Sequence, residues 1–112
     1  MPRFFATACA AVLAAGLLVP AAAEAGSFRS HKNYKVSGSA SVKGNKVTLR
    51  GFRTTPGPDL WIYVGNGSAS KRVARLRANS GTQTYTLPAG NWSTVHIHCK
   101  RFSSTFGTAS IR

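Results

Sequence analysis

Cysteine and acidic residues are scarce in this sequence, and each shortage excludes a class of structure or chemistry. Of the two cysteines, Cys9 lies in an N-terminal apolar stretch that we expect to be removed, which leaves Cys99 alone. A lone cysteine forms no intramolecular disulfide, so the fold must be stabilised by packing and backbone pairing. Outside the first 25 residues Asp59 is the single acid, which excludes the carboxylate pairs of glycosidases and aspartic proteases.

Motifs for hydrolysis and phosphoryl transfer are also lacking. Residues 65–71, GNGSASK, resemble a phosphate-binding loop superficially but do not end in Gly-Lys-Ser/Thr. A serine triad would have to recruit Asp59, and no nucleophile-elbow motif supports one. We therefore expect no stand-alone catalytic activity.

The apolar run near the N-terminus is too short to cross a membrane. Arg3 supplies a positive charge, residues 4–19 are apolar and rich in Ala and Leu, and residues 23–25 have the small-x-small form Ala-Glu-Ala. This is the pattern of a secretory signal peptide, and the run falls short of the roughly 20 residues of a spanning helix. We expect residues 1–25 to be removed and an exported protein, periplasmic or extracellular, without a transmembrane segment.

Basic residues dominate the remaining chain. Without Arg3 and Glu24, 14 of the 15 Lys and Arg residues remain against a single acid, and the formal charge is +13. The basic residues are spread from Arg29 to Arg112, which favours a solvated barrel or sandwich surface over a nucleic-acid-binding arm. We expect an acidic partner protein or an acidic cell-envelope component, and no specific nucleic acid.

Apolar and polar residues alternate in several short segments, which predicts an all-β fold. Alternation over residues 34–43 and again around Val47 and Leu49, with Gly44-Asn45 between, predicts a hairpin. Residues 60–64, LWIYV, are apolar on both faces, which places this strand near the sheet centre and requires one face to meet a second layer or a partner. Further strands are expected over residues 72–78, 82–87, 94–99 and 106–111.

These strands are separated by Gly and Pro turns, which is typical of a small antiparallel sandwich or barrel of about seven to eight short strands. Removal of 25 of the 112 residues leaves 87, enough for one domain and too few for two. We expect a short polar arm over residues 26–33 and a single β domain over residues 34–112.

Cys99 lies at the end of an alternating strand. Val95, Ile97 and Cys99 alternate with polar residues, so the thiol is expected on the apolar face. A free cysteine in that position often packs as a small hydrophobe. A redox thiol is the alternative, since Lys100 and Arg101 favour the thiolate electrostatically while burial opposes it.

His96 and His98 are two residues apart on the same strand. Their imidazoles therefore project from one face, within chelating distance of one metal ion. Structural zinc sites normally have four ligands, so the alternative interpretation is a pair of exposed polar residues on the solvent side.

The order of three motifs resembles the DM13 domain, a small extracytoplasmic β module proposed to take part in electron transfer. The motifs are Gly57-Pro58-Asp59-Leu60, Gln83 with Tyr85 and Pro88, and the segment that holds Cys99, Phe102, Phe106 and Gly107. The resemblance implies that Cys99 is the redox residue and that Pro58, Asp59, Phe102, Phe106 and Gly107 fill family positions. His98 stands where the family commonly has an aromatic residue.

A lone thiol forms no dithiol couple, so the resemblance implies either a cofactor or a redox partner protein. Thiolate ligates haem iron or a soft metal, and it also forms mixed disulfides. The predicted function is a redox-associated module that uses Cys99. The alternative is a non-catalytic, cationic binding module for an acidic envelope component or partner protein.

Overall fold

The computed structural model describes residues 24–111, which form eight β-strands and no helix. The strands are β1 (Glu24–Ser30), β2 (Val36–Lys43), β3 (Lys46–Thr54), β4 (Leu60–Gly65), β5 (Lys71–Arg75), β6 (Gln83–Thr86), β7 (Thr94–Cys99) and β8 (Ser104–Ser110). They make one antiparallel sheet in the order β5-β4-β7-β8-β1-β2-β3-β6. The predicted leader, apart from its last two residues, lies outside the described residues. Within residues 24–111 no helix is long and apolar enough to span a membrane.

The two edges of the sheet meet through side chains, because the segment directly after β5 contacts β6. The sheet is therefore nearly closed into a barrel. Arg77 donates its backbone N–H to the Tyr85 hydroxyl (3.0 Å), and its guanidinium lies 4.3 Å from the centroid of that ring. Arg77 also donates to the Thr84 carbonyl. The Tyr85 hydroxyl donates to the Gln83 side chain, whose amide donates to the Ala78 carbonyl (2.9 Å). The predicted all-β fold is confirmed.

The hairpin predicted around Gly44-Asn45 is formed by β2 and β3. The strand of residues 60–64 is β4, but it lies one strand from the edge, between β5 and β7, and not near the sheet centre. Its buried residues Leu60, Ile62 and Val64 face the core, while Trp61 and Tyr63 lie half-buried on the outside. The outward aromatic residues contact polar and cationic side chains instead of a second layer.

Two sequence predictions of local structure need correction. The polar arm predicted over residues 26–33 is largely part of β1, which pairs with β2 on one side and β8 on the other. Phe28 gives this segment its only buried side chain, 5.6 Å from the Phe52 ring centroid, so backbone pairing holds a strand that has no apolar alternation. The strand predicted over residues 72–78 occupies Lys71–Arg75.

Every strand except β5 contributes a buried apolar side chain to the barrel interior, and Val73 and Ala74 of β5 pack against this core half-buried. The largest that are fully buried include Phe52, Phe106, Leu49, Ile62 and Ile97. Burial of each such side chain stabilises the fold by about 1.5–3 kcal/mol relative to its exposure. Cys99 belongs to this core.

Candidate functional site

Cys99 is the last residue of β7, and its side chain is 0% exposed. It is the free cysteine of the described residues. Its cross-strand partners are Leu60 on β4 and Ser104 on β8. The prediction that Cys99 points with the apolar face is confirmed, and in this conformation the thiol has no contact with solvent.

The turn that follows Cys99 is joined to the loop that holds Pro58 and Asp59. The backbone N–H of Lys100 donates to the backbone carbonyl of Asp59 (3.0 Å). The turn itself is closed by the Ser103 N–H, which donates to the Lys100 carbonyl (3.1 Å), and Ser103 has φ = 51°. These two bonds fix the turn of residues 100–103, which directly follows Cys99.

Phe106 and Gly107 lie on β8 close to the same loop. The buried Phe106 ring stacks on Tyr34, with centroids 3.6 Å apart and planes 9° apart. A Cβ at Gly57 would lie 3.1 Å from the Phe106 ring, so the loop packs directly on this ring. A Cβ at Gly107 would lie 2.6 Å from the Val36 Cβ, so only glycine permits this approach of β2 to β8.

The structure therefore brings the residues of the first and third motifs to one end of the barrel, although about 50 positions separate Gly57 from Gly107. Pro58 and Asp59 lie on the loop, Cys99 at the strand end, and Phe106 on the neighbouring strand. Phe102 differs from the others because it is 50% exposed, at the tip of the turn.

Asp59 directs its carboxylate to the outer face of β4. Its Oδ1 accepts hydrogen bonds from Trp61 Nε1 (2.7 Å) and Arg75 Nη1 (3.1 Å). The bond from Trp61, together with the charges of Arg75 and Lys100, lowers the pKa of Asp59. Arg75, whose side chain is 63% exposed, forms a salt bridge with Asp59 at 3.1 Å.

Three cationic side chains converge on the indole of Trp61. Arg75 and Arg72 place their guanidinium carbons 4.6 and 4.8 Å from the ring centroid, and Lys100 Nζ lies at 5.4 Å. These are cation–π distances. We call Trp61, Arg72, Arg75 and Lys100 the Trp61 surface, and Asp59 is its one negative group.

His96 is buried, at 1% exposure, and does not lie on the solvent side as one interpretation of the sequence expected. Its Nε2 is hydrogen-bonded to Thr94 Oγ1 (2.8 Å) and its Nδ1 to Thr108 Oγ1 (2.9 Å). Thr94 Oγ1 also accepts from the Gly67 N–H (3.1 Å), and Thr108 Oγ1 bonds His31 Nε2 (3.0 Å). The reason for burial is long-range, since the loop of Gly67 and the end of β1 cover this part of the sheet.

The environment keeps His96 uncharged at neutral pH. Burial lowers the pKa of His96 to about 4, and the charges of His31 and His98 act in the same direction. Both ring nitrogens are occupied by threonine hydroxyls, so the neutral imidazole is fully hydrogen-bonded. A shallow groove of about 270 Å³ borders His96, His31 and Thr108.

His98 has its own set of contacts. Its Nδ1 bonds Thr105 Oγ1 (3.0 Å), its ring centroid lies 4.8 Å from that of Tyr63, and burial lowers its pKa. A register irregularity separates Ile97 and His98 in the pairing of β7 with β8. His96 and His98 thus engage different threonines, and within residues 24–111 no three His, Cys, Asp or Glu side chains cluster to hold a metal ion.

A family model described as Electron transfer DM13 matches residues 27–111. The chain belongs to the DM13 family. Comparison with curated proteins and with solved structures gave no match. The resemblance drawn from Gly57-Pro58-Asp59-Leu60 and the Cys99 segment is therefore confirmed, and the family connects this barrel with electron transfer.

The surroundings of Cys99 in this DM13 domain do not fit a haem or a metal ion held by the thiol. The side chain is fully enclosed, and its cross-strand neighbours, Leu60 and Ser104, supply no strong ligand for iron or copper.

Sequence reasoning missed the residues that complete two clusters of this DM13 barrel, the hydrogen-bonded group around His96 and the Trp61 surface. Thr108 and His31 reach His96 from distant parts of the chain, and neither lies in a recognisable motif. One signal was available for the Trp61 surface. Asp59 and Trp61 are two residues apart at the start of a strand, a spacing that places both side chains on one face.

Proposed function

We propose that this DM13 domain is an exported, redox-associated module in which Cys99 carries the redox chemistry. The observation that supports this most strongly is that the Asp59 loop, about 40 positions before Cys99, is hydrogen-bonded to the residue after Cys99 and packs on the Phe106 ring. Export rests on the leader pattern of residues 1–25.

The step we propose is thiol–disulfide exchange with a partner protein. Cys99 loses its proton to solvent, and the thiolate attacks one sulfur of a disulfide in the partner. A bond forms between Cys99 Sγ and that sulfur, the partner's S–S bond breaks, and its second sulfur leaves as a thiolate. Cys99 is thereby oxidised to the disulfide level, and the released partner sulfur is reduced.

This step requires local opening, because Cys99 is enclosed in the resting barrel. We infer that the segment that moves is the exposed turn of residues 100–103, which directly follows Cys99 and is held by the Lys100–Asp59 and Ser103–Lys100 backbone bonds. Small exposed turns of this kind open at a lower free energy than the whole domain unfolds. The proposal therefore expects the native thiol to react through movement of this turn.

The test compares thiol reactivity with global unfolding. The folded protein is mixed with 5,5′-dithiobis(2-nitrobenzoate), which releases one coloured thiolate per mixed disulfide, and the unfolding rate is measured in the same buffer. The proposal expects Cys99 to react faster than the protein unfolds, and Cys99→Ser gives the background. Reaction only at the unfolding rate, with no mixed disulfide in protein recovered from its own compartment, would overturn it.

The Trp61 surface favours a second candidate function, a cationic docking module for an acidic partner protein or acidic envelope component. Arg72, Arg75 and Lys100 gather on one indole, and a single carboxylate offsets them. Exposed charges are screened beyond about 8 Å at physiological ionic strength, so such docking should weaken steeply with salt.

Binding to heparin, a soluble polyanion, tests this second function. The double substitution Arg72→Gln/Arg75→Gln should lower the salt concentration needed for elution. Arg50→Gln/Arg53→Gln removes two exposed charges from β3, outside the Trp61 surface, and is the matched control. Equal elution of both variants would contradict a role for the Trp61 surface.

A further inference from the structure

Phe102 is the exposed large hydrophobic side chain of the described chain, at 50% exposure. It lies at the tip of the tight turn of residues 100–103, and its sequence neighbours Lys100 and Arg101 are both exposed. The Phe106 ring, four residues later, is buried, so the barrel encloses one phenyl group of this segment and presents the other. A single exposed apolar side chain does not by itself indicate a partner, so the groups joined to the same turn decide what this part of the barrel can bind.

The turn that presents this phenyl group is joined to the Trp61 surface through Lys100. Lys100 precedes the tip and lies on the Trp61 ring, where it is joined by Arg72 and Arg75. Guanidinium groups form paired hydrogen bonds with phosphate oxygens, and each basic residue near an anionic membrane surface is attracted to it. The turn thus joins one exposed phenyl group to a cluster of three cationic side chains.

A lipid bilayer with acidic headgroups fits this order of groups better than a polysaccharide does. A bilayer presents negative charge at its surface and an apolar layer beneath. The headgroups can bind the cations of the Trp61 surface, and the apolar layer can take up the exposed Phe102 side chain. A sugar polymer offers no apolar layer, and the Trp61 ring is already covered by cations at 4.6–5.4 Å, so it is not free to stack on sugars.

We propose that the Trp61 surface and the Phe102 tip bind anionic lipid bilayers, with the phenyl group inserted below the headgroups. This inference rests on the second proposed function, docking on an acidic envelope component, and names that component. Because the tip belongs to the turn that directly follows Cys99, the bilayer would hold the Cys99 end of β7 near the membrane surface.

The test uses the exported protein and vesicles of 70% phosphatidylcholine and 30% phosphatidylglycerol, with pure phosphatidylcholine vesicles beside them. Co-sedimentation should show binding to the anionic vesicles alone, and high salt should abolish it. Phe102→Ser should weaken binding about tenfold, as expected for loss of part of a phenyl group's transfer free energy. Arg72→Gln/Arg75→Gln should weaken it further, whereas Arg50→Gln/Arg53→Gln should have a smaller effect.

Insertion has its own readout. In Phe102→Trp, the added indole should shift its emission to shorter wavelength when anionic vesicles are present, relative to the wild type. Circular dichroism of each variant checks that the fold is intact.

Heparin separates failure of this inference from failure of the docking function. If the protein binds heparin but not the vesicles, or binds vesicles equally well with Phe102→Ser, the lipid inference is overturned and docking on another polyanion stands. If it binds neither heparin nor vesicles, both are overturned.

Discussion

Lys100 donates its backbone N–H to the backbone carbonyl of Asp59, at 3.0 Å, and this bond joins the turn after Cys99 to the loop before β4. The side chains of the same two residues carry opposite charges and both contact Trp61. Asp59 accepts a hydrogen bond from the indole N–H, and Lys100 lies over the ring face. This pair of residues thus connects the turn after the buried thiol with the Trp61 surface.

Asp59→Ala should therefore loosen both features. It removes the acceptor of Trp61 Nε1 and Arg75 and leaves three cations around one ring without a counter-charge. We expect a lower urea midpoint and faster modification of Cys99 by a thiol reagent. Asp59→Asn keeps an oxygen acceptor for the indole and should show a smaller change. Unchanged thiol reactivity in Asp59→Ala would argue that the Asp59 carboxylate does not help to hold the turn.

Gly107→Ala tests the close approach of β2 to β8. The new methyl group would lie 2.6 Å from Val36 Cβ, a branched and buried side chain that has little freedom to move. Overpacking of this kind costs about 1–3 kcal/mol, so the free energy of unfolding should fall by that amount. Ser110→Ala, at the exposed end of the same strand, is the control. Equal urea midpoints for the two variants would show that the strands separate easily.

The parts of this fold that the sequence predicted are those with local signals. Alternation placed Cys99 in the core, because side-chain direction follows directly from a period of two, but it did not decide the inner face of β4, where both faces are apolar. β1 was missed because Phe28 is the only buried side chain over residues 25–30, and its position depends on partners at both edges. The burial of His96 was missed for the same reason, since distant segments cover it.

Substitution of Cys99 separates its volume from its chemistry. Cys99→Ala leaves a small gap in the core, which should cost of order 1 kcal/mol of unfolding free energy. Cys99→Ser places a hydroxyl in the same enclosed position and should cost more, because a buried hydroxyl without a partner costs about 1–3 kcal/mol. Urea unfolding of the three proteins measures this order. A serine variant as stable as the wild type would mean that water reaches this position.

Acid should destabilise the barrel through His96. The pKa of His96 is about 4 in the folded protein, while the ordinary value of 6.5 applies to the unfolded chain. Between these values the unfolded chain binds a proton that the folded protein does not, so its contribution to stability is complete above pH 6.5 and is lost as the pH falls towards 4. The free energy of unfolding should fall by up to about 1.4 kcal/mol per pH unit in this window.

His96→Gln, which does not titrate, is the matched variant for this pH dependence. His31, His98 and the cross-strand partner Tyr63 are the other titratable groups around His96, and a weaker slope should persist because the pKa of His98 is also lowered by burial. Thermal unfolding of both proteins from pH 8 to pH 4 compares the slopes. If the wild type and His96→Gln lose stability in parallel, protonation of His96 is not the cause of the acid sensitivity, and another group must take up the proton on unfolding.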